Sequence, residues 1–234
     1  DLHRRRHSFP TRRSSDLGIH FETIFNRSGS ALKGVLYRPL LSAKKHEVLR
    51  HCLEGIDAIH YWQCSNRIIP LILPIHIDTL QSPSHVDGIC DLILNSRLPV
   101  GLIAVGIQSV PDPATTDACK EGLLRLRRLG VLLHFLNFCG SAEELHWITD
   151  MQLEGVHIDM STLREQNLAS DALSQLRQSP YSPTQIYAAN IGLVQDLKNA
   201  STLIADHAYG GLMMAPVSRH QMLQINDSRI AKAI

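Results

Sequence analysis

The sequence is poor in aromatic residues and has no long apolar run. Aromatic residues make up 5% of the 234 residues. The most apolar stretch, "IIPLILPIHI" at 68–77, contains two prolines and is far shorter than the ~20 residues that a membrane-spanning helix needs. We therefore expect no membrane span in this fragment.

Cysteine usage and charge narrow the class of protein further. The five cysteines are odd in number and form no C-x-x-C pair, which favours free thiols in a reducing compartment. The formal net charge is +1, and this balance gives no reason to expect a nucleic acid or a membrane surface as partner. These features predict a cytoplasmic protein, with an upstream membrane tether outside this chain as the open alternative.

The first seventeen residues, "DLHRRRHSFPTRRSSDL", differ in character from the rest. They contain five arginines without apolar partners. Within them, "SFPTRRSSDL" resembles the translation of a short-read sequencing adapter. We therefore interpret residues 1–17 as a non-native, adapter-derived tail and exclude them from functional reasoning. The tail's five arginines and two aspartates account for a net +3, so the native part, 18–234, has a formal charge near −2. We expect that upstream domains are missing from it.

From Gly18 onward, short β-rich apolar runs alternate with longer segments of helical pattern. The predicted strands cover 18–25, 34–41, 68–77, 101–108, 130–137, 155–160, 184–190 and 209–214. The predicted helices lie near 44–63, 84–96, 114–129, 141–151, 162–178 and 193–207. About eight strands that alternate with helices predict an α/β fold, a TIM-like (β/α)8 barrel, whose functional site belongs at the C-terminal ends of the strands.

Two groups of charged side chains have structural explanations. Ser141 and Glu144 have the spacing of a capping box, so Glu143 and Glu144 favour the start of a helix rather than catalysis. Three arginines fall largely on the solvated face of the predicted helix 114–129, with nucleotide binding as the weaker alternative: Arg125, Arg127 and Arg128.

Four segments resemble the EAL domain, the family that hydrolyses the bacterial second messenger cyclic di-GMP. "IHFETIF" resembles the family's opening "LHYQPIV", and "LRRLGVLLHFLNF" resembles "LRxLGVxLALDDF". "LEGVHIDMS" resembles "VDxLKIDRS", and "YGGLMMAP" resembles "QGYLFGRP". The order and spacing of these segments, over roughly residues 19–218, imply a TIM-like barrel of the EAL type.

The resemblance also implies which positions would hold the family's divalent metal ions, usually magnesium or manganese. The glutamate of "EALxR" falls on Gly34 and its arginine on Arg38; the pair of "DDFG" falls on Leu136 and Asn137. The lysine of "KID" is His157, while its aspartate is retained as Asp159. The other matched positions have lost the family's side chains: Pro74 for the asparagine of "NxS", Gly106 (or Val105 after a one-residue shift) for the glutamate of "ELTE", Ala189 and Gly192 for the acids of "EGVET", and Tyr209 for the glutamine of "QGYL".

The residues that remain do not support metal-dependent hydrolysis. Magnesium needs several oxygen ligands, mostly anionic, and glycine, proline, leucine and alanine side chains offer none. We therefore predict no catalytic residues, no metal and no cofactor. The prediction is an inactive EAL-type domain that acts as a regulatory or protein-interaction module. The alternatives are a receptor that binds cyclic di-GMP without cleaving it, and a residual phosphodiesterase.

Four side chains are the candidates for residual ligand contacts: Arg38, Asn137, His157 and Asp159. Arg38 suits phosphate, but a neighbouring carboxylate is an equal alternative partner. A soft-metal site is the weaker alternative to ordinary core histidines; its members would be His134, Cys139, His157 and Asp159.

A protein partner or a second copy of the chain is the predicted contact. The predicted helices 44–63 and 84–96 carry the candidate contact residues, Tyr61 and Trp62 in the first and "ICDLIL" in the second. Aromatic residues are enriched at interface hot spots. The alternative is that these side chains pack against the barrel.

Deleting residues 1–17 should leave the melting temperature within about one degree, because surface changes away from packed features alter stability by only ~0.5 kcal/mol. Thermal unfolding followed by circular dichroism of both chains tests this. A markedly larger loss would mean that the segment packs on the barrel and that the adapter interpretation is wrong.

Overall fold

The computed structural model describes residues 19–39, 47–99, 101–166, 169–178, 185–203 and 205–225, so the segment 1–17 lies outside the described residues. Eight strands, hydrogen-bonded in chain order, close into one barrel. The strands are β1 (Ile19–Asn26), β2 (Leu32–Pro39), β3 (Leu71–Ile75), β4 (Ile103–Ile107), β5 (Leu132–Phe138), β6 (Gly155–Asp159), β7 (Gln185–Ala189) and β8 (His207–Ala208). The predicted α/β, TIM-like barrel is confirmed.

The first strand runs against its neighbours. β1 pairs antiparallel with both β2 and β8, whereas β2 to β8 pair in parallel. A short turn therefore joins β1 to β2 in place of a helix. Asn26 stabilises this turn, because its Oδ1 accepts hydrogen bonds from the backbone N–H groups of Ser30 (2.8 Å) and Ala31 (3.0 Å). Gly29 adopts a left-handed conformation in it, with φ of 68°.

The helices surround the parallel strands. They are α1 (Val48–Gln63), α2 (Pro83–Ser96), α3 (Thr116–Arg128), α4 (Ala142–Asp150), α5 (Met160–Gln166), α6 (Ala169–Gln178), α7 (Val194–Thr202) and α8 (Arg219–Met222). The predicted capping box is confirmed at the start of α4: the Ser141 hydroxyl accepts from Glu144 N–H at 3.2 Å, and the Glu144 carboxylate accepts from Ser141 N–H at 3.1 Å.

The three arginines of α3 lie where the sequence predicts a solvated face. Each of them is paired with a carboxylate of this chain, so their charge is balanced locally. The pairs are Arg125 with Asp87, Arg127 with Glu154, and Arg128 with Glu121.

One predicted boundary near the C-terminus is wrong: the strand expected at 209–214 is β8, which ends at Ala208. The helix expected at 162–178 is represented by α5 and α6, and residues 167 and 168 between them lie outside the described residues. Gly210 explains the early end of β8. Its φ is +147°, and a β-carbon there would lie 2.2 Å from Ile191 N. Only glycine allows this close approach, and its carbonyl accepts from the N–H groups of Met213 and Met214 in a tight turn.

Apolar side chains form two layers. The larger core lies between the outer face of the barrel and the helices. A second, separate cluster fills the inside of the barrel, as in other barrels of this kind. Its members are Ile24, Leu36, Ile72, Ala104, Leu136, Tyr187, Ala189 and Tyr209.

The C-terminal segment packs against α1 and corrects the predicted contact surface. Trp62 is fully buried, and its Nε1 donates to the Arg219 carbonyl at 3.0 Å. Tyr61 is half-buried, and its hydroxyl is hydrogen-bonded to His220 Nδ1 at 2.8 Å. Neither is an exposed contact residue.

The same holds for most of "ICDLIL" in α2. Ile89 and Cys90 are buried, Leu92 and Ile93 pack against the core, and Leu94 alone among these apolar side chains is strongly exposed, at 60%. Within the described ranges no helix is long and apolar enough to cross a membrane.

Replacing Trp62 with alanine should destabilise the fold by about 3–5 kcal/mol, because it opens a large cavity in the core. Leu94→Ala on the exposed face of α2 is the matched control and should change the free energy of unfolding by less than ~0.5 kcal/mol. Urea unfolding of both variants measures the difference. Equal effects would contradict the burial of Trp62.

Candidate functional site

An ion pair stands at the C-terminal end of β2, where barrel enzymes place their sites. Arg38 Nε donates to Glu22 Oε2 at 2.8 Å. Glu22 is buried, at 7% exposure, whereas the Arg38 side chain is 38% exposed. Of the two partners that the sequence left open for Arg38, the structure provides the carboxylate.

Glu22 is a site residue that the sequence reasoning missed. It lies on β1, opposite Leu36 of β2 and two residues along from the pairing of His20 with Arg38. The signal was present, because the family's opening motif "LHYQPIV" has glutamine at this position. The antiparallel direction of β1, which places Glu22 beside Arg38, was not predicted.

Asp159 is held at the end of β6 by hydrogen bonds to both of its carboxylate oxygens. Oδ1 accepts from the Ser161 hydroxyl (2.6 Å) and N–H (2.9 Å), and Oδ2 accepts from Asn190 Nδ2 at 2.9 Å. Burial raises the pKa of Asp159, but the hydrogen bonds from Ser161, Asn190 and the Thr162 N–H outweigh it and hold the pKa below its ordinary value. Asp159 is therefore an anion at neutral pH.

Asn190 links the two charged residues. Its Oδ1 accepts a long hydrogen bond from Arg38 Nη2 at 3.5 Å, while its Nδ2 donates to Asp159. The residue adopts a left-handed backbone conformation, with φ of 56°, which asparagine tolerates better than most residues. Glu22, Arg38, Asn190 and Asp159 thus form one polar chain across the barrel mouth; we call it the mouth chain.

Two positions that the resemblance matches to the family's metal ligands, Gly106 and Ala189, lie inside the barrel and have no side-chain oxygen or nitrogen to offer a metal ion. Gly106 faces the inside of the barrel, and a β-carbon there would lie 2.6 Å from Leu136 Cδ1. The Leu136 side chain therefore occupies the space that a longer residue at 106 would need. Ala189 is fully buried in the same interior cluster. Among the residues that the structure describes, no three His, Cys, Asp or Glu side chains are grouped to hold a metal.

Asn137 lies at an irregularity of β5. The pairing of β5 with β6 shifts register between Phe135 and Phe138, and Asn137 has a φ of 58°. Its carbonyl accepts from Cys139 Sγ at 3.1 Å. The bulge ends the strand and begins the loop to α4.

His157 belongs to a buried hydrogen-bonded chain inside the barrel. His134 Nδ1 and His157 Nε2 are hydrogen-bonded at 3.0 Å, and His157 Nδ1 and the Tyr209 hydroxyl at 2.9 Å. The ring of His157 also stacks on Tyr187, with the centroids 4.1 Å apart. In the soft-metal alternative these two histidines would ligate an ion together with Cys139 and Asp159. Here their facing nitrogens bond each other, and Asp159 bonds to Ser161 and Asn190.

Burial keeps both of these imidazoles neutral. It lowers the pKa of His134 to about 4, helped by the nearby His207. It lowers the pKa of His157 well below its ordinary value, helped by His134, His207 and Arg38. Asp159 and the Glu22–Arg38 pair therefore stand above two neutral imidazoles.

No family model and no curated protein matches this sequence. Solved structures do match its fold. The EAL domain of Mycobacterium smegmatis DcpA superposes with a TM-score of 0.74 at 15% identity, covering 92% of this chain and 98% of that one. The chain has the fold of an EAL domain.

Two further solved structures carry bound cyclic di-GMP. The Xanthomonas citri FimX EAL domain in complex with it gives a TM-score of 0.68 at 11% identity, covering 86% of this chain and 87% of that one. The PaMucR phosphodiesterase complex gives 0.70 at 14% identity, covering 88% and 98%. These likenesses confirm the predicted EAL-type barrel.

The neutral histidines predict an acid-sensitive fold. The unfolded chain protonates His134 below pH ~6.5, whereas the folded chain does so only near pH 4, so stability is lost as pH falls through this window. His134 alone should lower the free energy of unfolding by about 2 kcal/mol between pH 7 and pH 5.

Urea unfolding at both pH values measures this loss. His134→Phe should reduce it, whereas His146→Phe, at an exposed position of α4, should leave it unchanged. An unaltered pH dependence in His134→Phe would contradict a neutral His134 in the folded chain.

Proposed function

We propose that this chain is a catalytically inactive EAL-type domain that acts as a regulatory module of cyclic di-GMP-related signalling through protein contacts. The observation that carries the proposal is the occupation of the barrel mouth by its own side chains. Leu136 fills the space beside Gly106, and the mouth chain satisfies the charges that remain.

Hydrolysis of a phosphodiester by the family's route needs divalent metal ions that activate a water. The two carboxylates of the mouth chain are already engaged, Glu22 by Arg38 and Asp159 by Ser161 and Asn190. A metal ion would have to displace these donors and would find few further oxygen ligands, whereas magnesium prefers six. A residual phosphodiesterase activity is therefore the weakest of the three hypotheses.

Binding of cyclic di-GMP without hydrolysis is the second hypothesis. It is favoured by the exposed part of Arg38, since a guanidinium group suits phosphate. It is opposed by Glu22, because phosphate would have to compete with a carboxylate that already accepts from Arg38 Nε at 2.8 Å. We propose that this competition keeps the affinity for the nucleotide low.

A protein surface near the mouth supports the proposed contacts. Leu193 and Val194, at the start of α7, are 52% and 61% exposed. Leu212 is 42% exposed, and its N–H donates to the Ile191 carbonyl, which places it close to them. We propose that this apolar rim, rather than Tyr61 and Trp62, contacts a protein partner or a second copy in the cytoplasm of a bacterium.

The test incubates the purified chain with cyclic di-GMP and magnesium or manganese and follows the products by chromatography. We expect no product above the background of an Asp159→Ala control. Calorimetry should detect no affinity in the micromolar range. Product formation above that background would contradict the inactive assignment.

Glu22→Gln is the discriminating variant, because it removes the competing charge and restores the family's glutamine. It should bind cyclic di-GMP at least tenfold more tightly than the parent chain, and a second substitution, Arg38→Ala, should abolish that gain. Micromolar affinity of the parent chain that is lost in Arg38→Ala alone would instead establish the receptor hypothesis.

A further inference from the structure

A groove lies at the opposite end of the barrel from the mouth chain. It has a volume of about 140 Å³ and runs between the β1–β2 turn, α7 and β8. Because β1 is antiparallel to β8, Asn26 pairs with His207, and the backbone N–H of Arg27 donates to the Asp206 carbonyl at 3.0 Å. This pairing brings Arg27 and His207 to the same wall of the groove.

The floor of the groove is apolar, and three of its side chains are alanines. Ala200, Ala205, Ala208 and Met213 line it and are all buried. Three alanines on adjacent elements leave space that larger side chains would have filled. An apolar cavity of about 150 Å³ holds a molecule such as benzene, so this groove has room for a hydrocarbon chain of about five or six carbons.

The rim of the groove is polar and carries positive charge. Arg27 Nη2 donates to the carbonyl and the hydroxyl of Ser201, at 2.9 and 3.3 Å. These bonds hold the guanidinium over the groove and use one of its three nitrogens, so donors remain for a ligand. Lys33 lies close enough to His207 to act on its charge. Asp206, whose charge also acts on His207, accepts from the backbone N–H of Ile186 at 2.8 Å.

His207 is a second polar residue of the groove wall. Its Nδ1 has no hydrogen-bond partner among the described residues, but this atom is shielded from solvent. A ligand in the open groove therefore does not reach this nitrogen, and Arg27 is the charged group of the wall that is available to it.

We propose that this groove binds a small carboxylic acid with a short, unbranched hydrocarbon chain. The carboxylate pairs with Arg27 at the rim, and the hydrocarbon chain lies on the alanine floor. The groove is separate from the barrel mouth, so the proposal that it binds a carboxylic acid does not depend on the proposed function.

The experiment titrates the full chain with hexanoate and with 1-hexanol and follows backbone amide shifts by nuclear magnetic resonance. Shifts should concentrate at Gly29, Ser201 and His207, and hexanoate should bind at least tenfold more tightly than hexanol. Arg27→Gln should remove this preference, whereas Arg50→Gln, an exposed arginine on α1, should retain it. Ala200→Leu, which fills the floor, should abolish binding of both probes.

Three results would overturn the proposal: equal affinity for the two probes, shifts that concentrate elsewhere, or an undiminished preference for hexanoate in Arg27→Gln. Circular dichroism verifies the fold of each variant. Should Ala200→Leu fail to fold, the comparison of Arg27→Gln with Arg50→Gln decides the question without it.

Discussion

The antiparallel pairing of β1 with both of its neighbours closes the barrel. The positions of the mouth chain and of the groove near His207 both depend on this pairing. The pairing removes the helix that would otherwise join β1 to β2. It places Glu22 within hydrogen-bonding distance of Arg38 at one end of the barrel. At the other end it places Arg27 and His207 on one wall of a groove. The C-terminal segment completes the outer layer near β1, where the bridge between Phe21 and Val217 anchors it.

The stabilisation that the Glu22–Arg38 ion pair contributes depends on the burial of only one partner, Glu22. A buried carboxylate loses hydration and needs hydrogen bonds in return, and Arg38 supplies one to Glu22. Arg38 itself reaches solvent, so the net stabilisation of the pair is modest, whereas removing Arg38 would leave a buried carboxylate without its partner. Beneath the pair, the hydrogen bonds of His134, His157 and Tyr209 replace charge with neutral polar contacts. The interior beneath the mouth therefore keeps polar contacts without charge.

The sequence predicted the barrel and the capping of α4, because these depend on local periodicity and on motifs of fixed spacing. It did not predict the direction of β1, since a strand's pattern of alternating side chains is the same in both directions. For that reason Glu22 was not predicted as a partner of Arg38. For Trp62 the sequence left packing and an exposed contact open as alternatives, because its partner, the carbonyl of Arg219, lies far along the chain. The groove near His207 depends on side chains from three elements that no single motif contains.

The replaced positions inside the barrel constrain one another. A glutamate at position 106 would collide with Leu136, because even a β-carbon there would lie 2.6 Å from the leucine side chain. An aspartate at 136 would in turn leave Gly106 beside an empty volume and place a charge in an apolar cluster. Either change alone thus costs stability through overpacking or through desolvation. Two acids would have to return together, with a metal ion to balance them. Packing of this kind stabilises the present interior, and it makes the return of a metal site by single substitutions unfavourable.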